Sequence, residues 1–411
     1  MNILFVHQNF PGQFKYLAQA LAKDPSNRVV AISGRKNSPR KWEGVEIIEY
    51  VIPSIQIKFS PRLADFEVKT IRAEVCFEVA KKLKSNGFTP DVIIAHPSWG
   101  ESLYLKEVWP SAKLGIYCEF FYRSIGADVN FDIDQSPMDP ESLHRFNLKN
   151  INHLLHLEIA DLGLSPTQWQ ANTFPKHFQE KISVIHEGID TAVVAPAADA
   201  FVVFNGKERF TKQDEVITFI NRNLEPYRGY HIFMRALPQL LKIRPNCHVF
   251  IVGGNEVSYG AAPKNGESWA EIFAKEARAQ IKDEDWKRVH FLGKIPYADY
   301  LAVLQVSSAH VYLTYPFVLS WSLLEAMSIE CSIVASNTPP VLEFLEDQKN
   351  ALLVNFFDID GVIEAVNQLL TDKGLAKKLG ENAREHIKKH YTLGVHSLPA
   401  QIAWVKRLLE C

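Results

Sequence analysis

The sequence predicts an α/β protein of two doubly wound domains facing an interdomain cleft, and three observations carry that prediction. Short apolar runs of strand length alternate with stretches of helical spacing, the signature of βαβ units on a mostly parallel sheet. This rhythm runs through twice, and between the cycles lies an Ala-, Pro- and Gly-containing stretch without clear periodicity. At 411 residues the chain is roughly two to three times the usual single-domain size, and its 47% hydrophobic content is enough for two packed cores.

The first cycle opens with ILFVH (3–7), a continuous apolar run suited to a strand covered on both faces. The turn NFPGQF (9–14) follows, then a helical pattern through Tyr16, Leu17, Ala20 and Leu21. Further strand-like runs stand at RVVAIS (28–33), VEIIEYV (45–51), DVIIAH (91–96) and KLGIYCEF (113–120), with a long helical pattern over 66–83. ADLGLSPTQ (160–168) and KISVIHEGID (181–190) end in turn residues and close the half, and 191–214 reads as the linker. The second cycle places strands at 215–221, 247–254, 288–295, 309–314, 331–337 and 350–356. Domains are therefore expected at 1–195 and 196–390, with 391–411 a helix returning to the first. The chain has no fixed-length repeat, no run of 18 uncharged apolar residues and no basic leader before an apolar segment, so neither a membrane span nor a signal peptide is expected.

Charge and cysteines narrow the class. Forty-five Lys plus Arg against 47 Asp plus Glu leave a net charge of −2, which argues against a nucleic-acid coat or a polybasic membrane-surface protein. The small cluster Arg35, Lys36, Arg40 and Lys41 reads as a solvated loop, at most a weak peripheral membrane contact. Cys76, Cys118, Cys247, Cys331 and Cys411 are scattered and form no CxxC pair, so a reducing cytoplasmic setting fits better than a disulfide framework or a zinc site.

Open sheets of this type bind ligands beyond the carboxyl ends of their strands, so the candidates are sought there. In INRNLEPYRGYHIF (220–233), Arg222 and Arg228 occupy the loop between a strand and a helix beginning near Gly229. Two guanidinium groups and a helix N-terminus suit a pyrophosphate without a metal. The same text also fits a solvated loop in which either arginine pairs with Glu225. In TYPFVLSWSLLEAMSIECSIVASNTPP (314–340), Glu325 stands in apolar text. Ser322 and Glu325 have the spacing of a capping box. Alternatively the carboxylate accepts hydrogen bonds from a ligand's vicinal hydroxyls while the N–H groups of Leu319 and Ser320 face an anion. Asp128, Asn130, Asp132 and Asp134 alternate like a calcium loop, but Ile133 stands where an EF-hand needs Gly and Asp139 replaces the twelfth-position Glu, so no metal is assigned. The aromatic run CEFFYR (118–123) reads as a strand end facing the cleft, with Glu119, Tyr122 and Arg123 as acceptor-side candidates and Phe120 and Phe121 as core.

Taken in order, these segments resemble the family-four retaining glycosyltransferases, the glycosyl transferases group 1, from Met1 to about Tyr391 and most strongly between Thr218 and Leu353. The family's Gly-Arg, four residues, Lys-Gly loop is matched by Asn221, Arg222, five residues, Arg228 and Gly229. Its Glu, seven residues, Glu motif is matched by Glu325 in the second place, while Phe317 stands in the first. HEGID (186–190) is similar to the family's Pro-Asn-Gly-Val-Asp turn, and 353–372 to its closing pattern. The resemblance implies the GT-B fold and metal-independent sugar transfer, with retention at the anomeric carbon and no protein nucleophile, from a nucleoside-diphosphate sugar to a glycan, glycolipid or other glycoconjugate. Neither a cofactor nor a nucleic-acid partner is implied.

Carried over residue by residue, the resemblance puts the diphosphate on Arg222 and Arg228, the ribose on Glu325, and the donor sugar near His96 and the backbone from Phe317 through Leu319 to Ser320. Gly12 matches the first glycine-containing loop, and Gly293, Lys294 and Ile295 the main-chain nucleobase contact, with Gly253 ending a strand on the same cleft. Plain structure also explains His96 as a strand-end histidine bonded to backbone, and the glycines as ordinary turns. Phe317 keeps open an inert sugar-nucleotide-binding protein; a GT-B enzyme acting on DNA bases is disfavoured by the slightly acidic balance.

Overall fold

The computed structural model describes residues 1–52, 62–135, 145–264 and 266–411. The chain divides into two compact units: Met1–Ser124, Asp139–Gly188 and Leu393–Cys411 form the first, and Ile125–Met138 with Ile189–Thr392 form the second. The division thus falls at 188/189, not at the 195/196 boundary read from the sequence, and a short segment of the first sequence cycle joins the second unit. The reason is packing. Val194 is buried in the second unit's core, and its carbonyl accepts hydrogen bonds from Ser328 and Arg384.

The first unit carries β1 (Asn2–Val6), β2 (Arg28–Ser33), β3 (Lys41–Trp42), β4 (Val45–Glu49), β5 (Val92–Ala95), β6 (Lys113–Tyr117), β7 (Leu162–Ser165) and β8 (Ile182–Val184). They form one sheet in the order β3-β4-β2-β1-β5-β6-β7-β8, parallel except for the short β3 on the edge. Side chains alternate across it. Leu4, Val6, Val30, Ile32, Ile93 and Ala95 pack on one face with Cys76 and Ala80 of the helix Ala64–Ser85. Ile3, Phe5, Val29, Ala31 and Ile94 pack on the other with Leu17 and Leu21 of Lys15–Lys23 and with Trp404, Val405 and Leu408 of the terminal helix Leu398–Glu410. Burial on both faces is why these strands read as unbroken apolar runs.

The second unit carries the antiparallel hairpin of β9 (Phe201–Phe204) and β10 (Glu208–Thr211), then β11 (Val216–Asn223), β12 (His248–Gly254), β13 (Val289–Gly293), β14 (Ala309–Tyr312), β15 (Ile333–Ser336) and β16 (Leu352–Val354). The hairpin lies inside the stretch read as linker, which is corrected accordingly. Asn205 and Gly206 both have positive φ, 50° and 70°, as the tight hairpin turn of an Asn-Gly pair demands. The other six strands form a parallel sheet in the order β13-β12-β11-β14-β15-β16. Its order reverses between β11 and β14, and the corresponding switch in the first unit lies between β1 and β5. Among the described residues no helix is long and apolar enough to cross a membrane.

Candidate functional site

In the second unit the switch-point loop follows β11 through a single 3-10 turn, Pro226–Arg228, into the helix Tyr230–Ile243. Gly229 joins them at φ 69°, and a Cβ there would stand 2.3 Å from Cβ of Leu313, so only glycine lets the loop pass this close to the end of β14. The turn carries Arg228 inward. The residue is 5% exposed, and its guanidinium donates from Nη1 to Thr314 Oγ1 at 2.8 Å and lies 5.2 Å from the Tyr259 ring centroid. No carboxylate among the described residues pairs with Arg228. The suggested partner Glu225 accepts instead from the backbone N–H groups of Ser258 and Tyr259, at 3.0 and 3.1 Å. Burial raises the Glu225 carboxyl above its ordinary range, against those backbone donors and the Arg228 charge. Arg222 is exposed at the end of the same strand and likewise pairs with no carboxylate among the described residues.

Glu325 lies in the helix Trp321–Ser328, which begins beyond β14. The capping-box reading is corrected: Ser320 is the N-cap, accepting from Ser322 N at 3.4 Å, while Glu325 accepts from the Tyr297 and Tyr300 hydroxyls at 2.6 and 2.7 Å. Ser320 N–H donates to the Tyr312 hydroxyl at 3.0 Å instead of standing open to an anion, and Leu319 packs against the core. Phe317 is buried, edge-on to Tyr227 and Tyr259. Gly253 is the penultimate residue of β12, where a Cβ would come 2.9 Å from the Asn221 carbonyl oxygen; Gly293 ends β13 at φ 64° with open space beside it, Lys294 pairs with Glu256, and Ile295 packs on the core.

The segment from Ile125 lies against the same region of the second unit. Asp128 accepts from the Tyr227 hydroxyl at 2.8 Å, and Asp132 from the Tyr315 hydroxyl at 2.8 Å and His231 Nε2 at 2.9 Å. Burial opposes the Asp132 charge, but the His231 and Tyr315 bonds outweigh it and hold the carboxyl below its ordinary range. Burial depresses His231, so a neutral ring donates Nε2–H to a carboxylate. Asp139 of the calcium-like pattern lies outside the described residues.

At the switch point of the first unit, His7 and His96 follow β1 and β5, with Glu119 two residues past β6. Asn9 N–H donates to His7 Nδ1 at 2.9 Å, so the ring proton sits on Nε2 and is donated to Gln13 Oε1 at 2.8 Å. Gln13 Nε2 donates onward to Glu119 Oε1 at 2.8 Å, and Glu119 Oε2 lies 3.5 Å from His96 Nε2. His96 Nδ1 accepts the Ser98 N–H at 3.4 Å, the ordinary strand-end role, and its ring stacks on Tyr117 and against Trp99. Burial and the His96 charge lower His7 to about 3, whereas Glu119 stays below the usual carboxylate range because His96 and Gln13 outweigh its burial. Gly12 is required here: at φ 47° a Cβ would stand 2.4 Å from the His7 ring.

Of the three acceptor-side candidates the structure brings only Glu119 to this cluster. β6 ends at Tyr117, short of the strand read to Phe120. Tyr122 lies under Lys149 and donates its backbone N–H to Asn150, and Arg123 bonds the carbonyls of Thr173 and Asn172. Phe120 and Phe121 pack inward. Sequence reasoning missed His7 and Gln13, as well as Tyr297 and Tyr300. The available signals were the histidine following each of two apolar strands, and the i, i+3 tyrosines just after a Gly-Lys-Ile-Pro turn.

Two family models match the chain in succession: Glycosyl transferase family 4 group over residues 25–194 and Glycosyl transferases group 1 over 204–386. A GDP-mannose-dependent alpha-(1-6)-phosphatidylinositol monomannoside mannosyltransferase of Mycolicibacterium smegmatis is 25% identical over 233 residues, 55% of this chain and 57% of that protein. The chain thus matches little more than half the length of this relative. Among solved structures, sucrose-phosphate synthase of Thermosynechococcus elongatus superposes with a TM-score of 0.74 at 19% identity, covering 100% of this chain and 99% of that one. Anabaena HepE, solved with UDP and glucose, gives 0.69 at 16%, covering 99% of each. With two Rossmann-like units built on parallel sheets and both family models matched in order, the chain belongs to the family-four, group 1 glycosyltransferases of GT-B fold.

Proposed function

We propose that the protein is a retaining, metal-independent glycosyltransferase that takes its sugar from a nucleoside-diphosphate sugar and delivers it to a glycan, glycolipid or other glycoconjugate. One observation carries this reading: Arg228 is a 5%-exposed cation without a carboxylate partner among the described residues, at the carboxyl end of a switch-point strand. A buried, unpaired charge is costly, and a diphosphate supplies the missing counter-ion. Arg222, exposed at the end of β11, adds a second charge on the way into that loop. The curated mannosyltransferase relative and the UDP-bound HepE structure support a nucleotide-sugar donor.

In the proposed reaction the bond from the anomeric carbon to the phosphate oxygen breaks, and the acceptor oxygen bonds that carbon on the same face. The acceptor's proton passes to the departing phosphate, so no protein nucleophile is needed. Negative charge accumulates on the leaving diphosphate, where Arg222 and Arg228 stabilise it. In the first unit, the Glu119 carboxylate, fixed by Gln13, would accept a hydrogen bond from an acceptor or donor-sugar hydroxyl beside His96.

Calorimetric titration of UDP, GDP, ADP and dTDP, with chelator present, tests the reading. One of them should bind the wild type. Arg222→Ala and Arg228→Ala should each weaken it about 10- to 100-fold and slow transfer roughly 10²- to 10³-fold. Binding only with added metal, or none at all, overturns the site. Phe317 favours a second reading, a sugar-nucleotide binder without transfer; binding with neither donor hydrolysis nor transfer across an acceptor panel would select it.

A further inference from the structure

Glu325 has both carboxylate oxygens taken by hydroxyls of a neighbouring helix: Tyr297 bonds Oε1 at 2.6 Å and Tyr300 bonds Oε2 at 2.7 Å. The tyrosines stand at i and i+3 of the helix Tyr297–Val306 and so share a face, their rings 5.6 Å apart and inclined by 27°. They are not equivalent. Tyr300 packs against the core of the second unit, and burial together with the Glu325 charge pushes its phenol far above the ordinary range. Tyr297 is 52% exposed. Its side chain can leave the carboxylate for water at little cost in packing, whereas Tyr300 cannot.

Two hydroxyl donors on one carboxylate reproduce the pattern that a vicinal diol would make there. We propose that Tyr297 is a displaceable stand-in for a ribose hydroxyl and that Tyr300 is the positioning residue that keeps Glu325 aimed. The inference rests on the reading of the second unit as a nucleotide site. On binding, a ribose hydroxyl replaces Tyr297 at Oε1, and the second hydroxyl uses a remaining lone pair of the carboxylate while Tyr300 stays on Oε2. The exchange keeps the half-buried carboxylate hydrogen-bonded at every stage, which removes the penalty of leaving it unsatisfied. It also makes Tyr297 a competitor of the nucleotide, so the chain gives up part of its affinity for the ribose.

The test is calorimetry on the full chain with UDP, GDP and ADP and with the 2′,3′-dideoxy analogue of whichever binds. Tyr297→Phe should tighten the ribonucleotide about three- to tenfold, because the competing donor is gone, and Tyr300→Phe should weaken it about tenfold. Neither change should move the dideoxy analogue more than about twofold, since a role confined to packing would shift both ligands alike. Tyr297 is on the surface, so its variant reports even if Tyr300→Phe proves unstable. Unchanged or weaker ribonucleotide binding by Tyr297→Phe, or equal shifts for the dideoxy analogue, overturns the proposal. If none of UDP, GDP and ADP binds the wild type, the ribose reading of Glu325 falls, and this one with it.

Discussion

At the scale of single residues, the two units place their polar groups in opposite ways. Arg228 is a buried cation that pairs with no carboxylate among the described residues, whereas Glu119 is already held by Gln13 and approached by His96. Glu119→Gln is expected to break that arrangement: an amide of the same shape turns a donor toward the Gln13 amide or the His96 ring. The expected cost is about 1–3 kcal/mol, read from the urea midpoint. Arg228→Lys keeps the charge but loses the planar fork and the overlap with Tyr259, and should recover only part of the nucleotide affinity lost in Arg228→Ala. Arg222, Arg228 and Glu325 were legible as candidates because a motif reports residue types in a set order along the chain. Their partners were not. Thr314 and Tyr300 reach Arg228 and Glu325 from 86 and 25 residues away, and Glu225 turns to backbone donors that no spacing rule connects to it.

At the scale of elements, the terminal helix Leu398–Glu410 belongs to the first unit because Gly115 in β6 leaves room for it. A Cβ at that position would come 2.4 Å from the Trp404 ring and 2.8 Å from Leu408. Gly115→Val should therefore push the helix off the sheet and destabilise the fold by about 1–3 kcal/mol, seen as a lower thermal midpoint. The helix Trp269–Arg278 carries a complete capping box between Ser268 and Glu271, and Ser268→Ala should cost about 0.5–2 kcal/mol in the same assay. That box forms where the Ser322–Glu325 pair does not. Ser322 is already inside its helix, whose N-cap is Ser320, so identical spacing does not yield identical bonding. The hairpin of β9 and β10 was open to reading from the Asn205-Gly206 pair, but its strands are four residues each and Phe201 and Val203 are exposed, so the short apolar run of β9 does not mark a buried strand.

At the scale of the whole molecule, several histidines are buried neutral. Burial lowers His156, His290 and His310 to about 4 and, with the His96 charge, His7 to about 3. Their unfolded-state value is 6.5, so between that pH and the folded values the unfolded chain binds more protons. This contribution to stability is complete above pH 6.5 and is lost as the pH falls toward 4. Each such histidine costs up to about 1.4 kcal/mol per pH unit across that window. Denaturant midpoints measured from pH 7.5 to 4.5 should fall steeply below 6.5, and an unchanged midpoint would refute the assignment.

The sequence by itself determined the doubly wound rhythm, since parallel strands covered on both faces must be apolar throughout, and it determined the cationic loop of the second unit, since loop composition is local. Only the tertiary structure decided which carboxylates meet which hydroxyls, that Ile125–Met138 joins the second unit, and that His7, Gln13 and Glu119 form one hydrogen-bonded chain. Gln13 and Glu119 are 106 residues apart, and they meet because the strand order sets β5 between β1 and β6 and brings the three strand ends together. Local composition carries no trace of that juxtaposition.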